Sequence, residues 1–199
     1  MKATIRRMMK QEVAKGRPLV RSELVKRGFR GNTLSEMAKS GIVYRIAHGV
    51  YAPSCGSKSE FFDYELAARV MPKGVFTLRS ALRLHGLTDD NPQRMTMAIP
   101  SGSHRPKTML PVDFVYMTPV LLQSDVEERS PNGATFKVFT LERTLVECFK
   151  ARNKIGIGIC VAALRDAFSK GVVNHNILWD SMKRCRMTKV MAPYLEGLS

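Results

Sequence analysis

The chain has 199 residues, 44% of them hydrophobic and 25% charged. That is globular composition with room for one or two small domains, and it excludes a largely disordered chain. Lys and Arg number 32 against 17 Asp and Glu, a net charge of +15, which favours polyanionic partners, nucleic acid before an anionic membrane.

The charge is uneven. Residues 1–50 hold 12 Lys and Arg against 3 Asp and Glu, and residues 51–199 hold 20 against 14. The first quarter is therefore the expected anion-binding part. Its opening, MKATIRRMMKQEVAKGR, has no apolar core and does not read as a secretory signal. Ile5, Met8, Met9 and Val13 stand at helical spacing, predicting a first helix from Met1 to about Lys15, ended by Gly16-Arg17-Pro18. An interfacial helix or a presequence is the alternative, and Glu12 interrupts its pattern. No apolar run approaches the roughly 18 residues of a membrane span.

Ser22 can cap a second helix over Glu23–Arg27, with Leu24 and Val25 inward and Gly28 as the left-handed residue after it. A third helix is predicted from Thr33, with Glu36 at capping-box spacing. Leu34, Met37 and Ala38 form its buried face, and Gly41 closes it. Ile42, Tyr44 and Ile46 then alternate with Val43, Arg45 and Ala47. His48-Gly49 is a tight turn, and Val50–Ala52 returns to Pro53. Three helices and a hairpin in about 50 residues is the order of a winged helix-turn-helix. The third helix would then enter a major groove by its N-terminal residues. Asn32, Thr33 and Ser35, with Lys39 further along, are the candidate base readers. Arg21, Lys26, Arg30, Arg45 and His48 are candidate phosphate contacts. Against this stand Glu36 on the exposed side and the use of winged helices as protein-interaction modules.

PSCGSKS, from Pro53 to Ser59, reads as a linker. Beyond it the patterns predict helices over Glu60–Val70 and Thr77–His85, and strands over Met95–Ile99, Val112–Met117 and Thr135–Phe139. Helices follow near Leu141–Arg152, Ile159–Ser169, Asn176–Arg184 and Thr188–Leu198. The expected fold class is α+β: a winged helix-turn-helix domain over 1–53, then a mixed α/β domain over 54–199 with a small sheet covered by helices.

The segments LVRSELVKRGFRGNTLSEMAKSGIVYRIAHGVYAP, LRSALRLHGLTDD, TLERTLVECFKARNKIGIGICVAALRDAF and RCRMTKVMAPYLEGL together resemble the AbiEi family, bacterial abortive-infection antitoxins of type IV toxin–antitoxin systems. Each is a packing pattern; their order and spacing carry the likeness. The resemblance implies a winged helix that binds inverted repeats in the promoter of its own operon and represses it. It also implies a C-terminal domain that counteracts a neighbouring AbiEii-type toxin of nucleotidyltransferase fold, without a stable complex, in phage defence in the cytoplasm.

Chemistry is sparse. Gly102-Ser103 with Asp113 is the nearest likeness to a nucleotidyltransferase site, but Phe114 stands where a paired carboxylate would help hold Mg²⁺. Cys55, Cys148, Cys160 and Cys185 form no CxxC and have no paired histidines, so no zinc site is expected. Cys148 and Cys160 read as reduced core residues. Cys185, in KRCR, is either an incidental thiol or one favoured as thiolate by its charged neighbours. His85 and His175 read as structural, and His104, beside Arg105 and Lys107, touches phosphate or only solvent. Ser101 and Ser103 have no triad around them, and there is no P-loop. Gly156-Ile157-Gly158 reads as a helix-start turn. No enzymatic role, cofactor or metal is expected.

Two basic clusters, Lys150, Arg152 and Lys154, then Lys183, Arg184, Arg186 and Lys189, are candidates for a second polyanion surface or simply solvated helix ends. No heptad seam marks a dimerisation helix, so monomers are expected to assemble on double-stranded DNA. The alternative is a protein-interaction antitoxin that blocks its toxin by direct contact, with the winged helix as scaffold.

Overall fold

The computed structural model describes residues 7, 11–56, 58–88, 92–130 and 135–197. The fold is α+β, and two compact units divide the chain. The first takes residues 1–73 together with 104–111 and 129–136. The second takes 74–103, 112–128 and 137–199.

In the first unit residues 11–14 are helical (α1) and Gly16, at φ 66°, turns the chain. Val13 is buried, whereas Ile5, Met8 and Met9 lie outside the described residues. A short strand (β1, Leu19–Val20) leads straight into a helix (α2, Arg21–Lys26). The helix therefore starts before Ser22, its N-cap is Val20, and no side chain caps it. Leu24 points inward as expected, but Val25 is 47% exposed. In so short a helix the core takes one residue per turn, and neighbours 100° apart cannot both face it.

Gly28, at φ 86°, ends α2 as predicted. The Phe29 N–H reaches the Leu24 carbonyl at 3.0 Å and the Gly28 N–H reaches Val25 at 3.0 Å, the bond pair of a Schellman cap. The next helix (α3, Thr33–Lys39) has Asn32 as N-cap, so Thr33 is its first residue and the expected capping box does not form. A second Schellman pair follows at Gly41, with Ile42 N–H to Met37 O and Gly41 N–H to Ala38 O.

The hairpin joins two strands (β2, Val43–Ala47; β3, Val50–Pro53) in a sheet of order β1-β3-β2. Strict alternation fails in β2. A register shift between Arg45 and Ala47 lets Val43 and Ile46 both face inward while Tyr44 and Arg45 face out. One inserted residue re-aims the side chains after it.

The linker expected at Pro53–Ser59 falls inside this unit. A helix (α4, Phe62–Val70) packs Phe62 and Leu66 against Ile46, Val50 and Ala52 of the hairpin, so the apolar core continues past residue 53. A second cluster joins Val13, Leu19, Leu24, Phe29, Leu34, Val43 and Tyr51.

The second unit is built on a five-stranded mixed sheet. Its strands are β4 (Val75–Phe76), β5 (Met95–Pro100), β6 (Val112–Met117), β7 (Val126–Arg129) and β8 (Phe136–Phe139), in the order β6-β5-β4-β8-β7. β5 and β6 are parallel, from Met95↔Val112 to Pro100↔Met117. β4 is antiparallel to β5 and parallel to β8. Short helices α5 (Leu78–Leu84) and α6 (Pro119–Gln123) follow β4 and β6. The C-terminal helices are α7 (Leu141–Lys150), α8 (Arg152–Ile155), α9 (Ile157–Ser169), α10 (His175–Arg184) and α11 (Thr188–Glu196). Their core holds Leu82, Leu145, Phe149, Leu164, Leu178 and Met182, all 2% exposed or less.

Helix α7 is wrapped on nearly all sides, with Glu142 to Phe149 buried. Thr140 caps it, accepting from the Arg143 N–H. Helix α10 ends on Arg186, a non-glycine residue at φ 57°, with Met187 N–H to Met182 O and Arg186 N–H to Lys183 O. Left-handed backbone costs an L-residue about 1–2 kcal/mol. Arg186→Gly should therefore raise the unfolding free energy by about 0.5–1 kcal/mol in urea denaturation, after glycine's greater unfolded-state entropy is deducted.

Candidate nucleic-acid interface

Asn32, Ser35 and Lys39 are exposed on α3, and Thr33 is half-buried. The Asn32 amide donates to a Glu36 carboxylate oxygen at 2.7 Å. Glu36 is thus held by a neighbour on its own helix, and the carboxylate that counted against an anionic partner is partly masked. Ser35 is less free than its exposure suggests, since its hydroxyl lies 3.3 Å from the Tyr51 hydroxyl of β3. Tyr51 is in turn the register partner of Arg45.

Arg21 joins the three parts. Its backbone N–H donates to the Gly49 carbonyl in the hairpin turn at 2.8 Å. Its guanidinium lies over Gly31, where an added Cβ would sit 3.1 Å from Nη2. The start of α2, the loop before α3 and the tip of the wing are therefore in contact. Arg45 and His48 are paired on that wing, with Nη2 3.2 Å from Nδ1, and Arg45 Nε donates to the Ala47 carbonyl at 3.3 Å. Lys26 and Arg30 are exposed on and after α2.

Two further cationic contributions lie in the first unit, one read from the sequence as a basic loop and one not. Residues 104–111 belong to the first unit, and Thr108 bridges to Ala47 of the wing while the Met109 N–H donates to Ile46 O at 3.0 Å. This places the loop of His104, Arg105 and Lys107 alongside the hairpin, some 60 residues away in sequence. Lys58 donates to the Tyr44 hydroxyl at 3.0 Å and stands over the Tyr44 and Phe62 rings. The signal for Lys58 is a basic residue beside a turn, too common to single out, and the sequence does not place the His104 loop beside the wing.

Beneath the surface, Glu12 accepts from Arg27 at 2.7 and 3.0 Å and from Lys15 at 2.8 Å. The Arg27 hydrogen bonds, opposed in part by burial and helped by Lys15, hold its carboxyl down from 4.5 to about 2. A depressed carboxyl contributes stability above its unfolded value and loses it as pH falls through the folded one. Glu12→Gln should therefore destabilise the protein at neutral pH. The difference from wild type should shrink as the pH is lowered from about 4.5 towards 2, in parallel urea titrations.

The other sites singled out by sequence resolve into structural roles. Asp113 pairs with Arg94, Nε to Oδ1 at 2.9 Å, and no cluster of three metal-ligating residues occurs among the described residues. The His85 ring nitrogen Nε2 meets the Phe139 carbonyl at 2.8 Å, and His175 packs edge-on against Phe168. Cys148 and Cys160 are buried, and the Cys160 thiol donates to the Cys148 carbonyl. Burial pushes the Cys185 thiol up, outweighing the nearby Arg143, so its charged neighbours do not make it a thiolate. Gly156, at φ 92°, is the N-cap of α9, the helix-start turn expected there.

The two C-terminal basic clusters approach one another through Glu147. Lys150 is 3.9 Å from its carboxylate, and the Cys185 sulfur, next to Arg184 and Arg186, is also 3.9 Å away. Not all of that charge is available. Arg184 pairs with Asp125 at 2.8 Å, Arg152 donates to the Phe149 carbonyl and Lys183 stands over the Trp179 ring. Lys154, Arg186 and Lys189 are exposed.

Among the described residues no helix is long and apolar enough to cross a membrane. No protein-family model matches the chain, and none of the curated proteins does. Among solved structures it is similar to the crystal structure of the RV2827C protein from Mycobacterium tuberculosis, at 14% identity and a TM-score of 0.59. The likeness covers 84% of this chain and 66% of that one, and it is a likeness of fold.

Proposed function

We propose that the protein is an AbiEi-type antitoxin that represses its own operon by binding inverted repeats with the winged helix, and that it counteracts a nucleotidyltransferase-fold toxin in the cytoplasm. The observation that supports the DNA-binding part is Arg21, whose guanidinium lies over Gly31 just before α3 and whose backbone N–H bonds Gly49 in the wing turn, next to the paired Arg45 and His48. Asn32, Thr33 and Lys39 are the residues we assign to base edges. Arg21, Arg30, Arg45, Lys107 and Lys58 we assign to the phosphates on either side. The antitoxin part rests on the order and spacing of the AbiEi-like segments.

The test is fluorescence anisotropy on the duplex upstream of the gene against a scrambled duplex, across a salt series. Arg45→Ala should weaken binding to both duplexes and reduce the salt slope by about 1. Asn32→Ala should cost about 1–3 kcal/mol on the native duplex alone. Equal, weak binding to both duplexes would overturn the repressor reading. Neutralisation is read separately, as growth on co-expression with the adjacent toxin.

A second reading, an antitoxin acting by direct contact, is favoured by the exposed apolar residues Val172, Ile177 and Trp179 on and before α10. It predicts that Trp179→Ala abolishes neutralisation while leaving operator binding intact.

A further inference from the structure

Away from the winged helix, the second unit holds a pocket of about 520 Å³ at the C-terminal ends of β5 and β6, facing the start of α5 and the corner between α7 and α8. Its volume is in the range of small-molecule sites, about 300–1,000 Å³. We propose that this pocket binds a nucleoside phosphate, free or as an unpaired residue of a single strand, with Tyr116 stacking on the base and Lys150 and Lys154 holding the phosphate.

Four observations converge on it. Thr77 lines the pocket, is fully buried, and its hydroxyl has no hydrogen-bond partner among the described residues. A buried hydroxyl left without a partner is costly, and a ligand edge would satisfy it. Leu78, the next residue and also in the lining, sits at φ 52°, where a branched side chain is strained. Strain held beside an unsatisfied hydroxyl is a combination that clusters at ligand sites.

The third observation is electrostatic. Glu147 is the one carboxylate in the lining, and it is already engaged by the buried Arg143, 2.6 Å away. Lys150 and Lys154 are exposed, so positive charge is in excess and an anionic group is favoured. The fourth is shape and polarity. Val115 and Met117 give apolar walls, Tyr116 is half-exposed, and Ser101 and Asn153 add polar edges. A flat body with donors and acceptors on its rim and a single anionic end matches all of these, and that is a nucleotide. Base stacking on an aromatic ring with a cationic track for the phosphate is the general mode of single-strand recognition.

The test is isothermal titration of the full chain with AMP, GMP, CMP and UMP. Adenosine, uridine, inorganic phosphate and a single-stranded RNA hexanucleotide serve as further arms. At least one monophosphate should bind, its nucleoside and phosphate alone should bind far more weakly, and Tyr116→Ala and Lys154→Ala should each weaken binding about 10-fold. Both side chains are exposed, and an unchanged thermal melt excludes unfolding. Thr77→Val should weaken binding without touching charge. Hexanucleotide binding that needs Tyr116, with no monophosphate bound, supports the same site reading a base within a strand. The proposal is overturned if neither monophosphates nor hexanucleotide bind, if phosphate alone binds equally well, or if binding ignores both substitutions. Lys39→Ala should leave this titration unchanged, so it fails or stands apart from operator binding.

Discussion

Replacing Arg143 by alanine should lower the unfolding free energy by about 3–5 kcal/mol, the cost of leaving a buried partner uncompensated. Arg143 is fully buried, the rarest of positions for a guanidinium. Glu147 lies 2.6 Å from Nη2 and is itself buried, Asp125 is 4.0 Å from Nη1, and the Phe139 ring lies under the guanidinium at 5.3 Å. Asp125 retains Arg184 when Arg143 is gone, so the orphan created is Glu147, with only the more distant Lys150 to offset it. Arg143→Leu combined with Glu147→Leu should recover most of the loss, because two apolar side chains in that space need no partner. Urea denaturation of the two single variants and the double variant gives the coupling. A double variant no better than Arg143→Ala would show that shape, not charge, is what the site requires.

Leu34→Ala should cost about 2–5 kcal/mol, the range for a large-to-small change in a packed core. Leu34 is 2% exposed and is the one buried residue of α3, so it holds the helix down on Leu24, Phe29, Val43 and Tyr51. Met37 and Ala38 only border that cluster. On the proposed reading of α3 as the base-reading helix, the functional consequence follows from mechanics, because such a helix must be held in register. Operator affinity should fall although Leu34 cannot itself reach DNA. Native-state hydrogen exchange should show α3 amides opening at lower free energy than those of α7. Unchanged operator affinity alongside a full loss of stability would separate α3 from recognition.

The elements legible from sequence are those whose signals are local. Gly28 and Gly41 each stand just past a helix, and each adopts positive φ there. Met95–Ile99 and Val112–Met117 are apolar runs whose β character survives to within a residue. Short elements were missed. β1 and β4 have two residues each, and β7, VEER, carries no apolar alternation. Such strands exist because neighbours supply their hydrogen bonds. Caps were misplaced for the same reason. Ser22 and Thr33 can cap, but Arg21 starts α2 two residues early, its N–H reaching Gly49, and Asn32 bonds Glu36.

The candidate site divides in the same way. The charge asymmetry, the exposed face of α3 and the His48-Gly49 turn were determined by residues close in the chain. Their periodicity and turn chemistry require no distant partner. The tertiary structure alone decided three things: that the loop of Arg105 and Lys107 pairs with β2, that Glu147 draws the two C-terminal basic clusters together, and that Arg143 is buried. The first two join residues tens of positions apart, and all three depend on which surfaces meet in space, a property that local pattern does not carry.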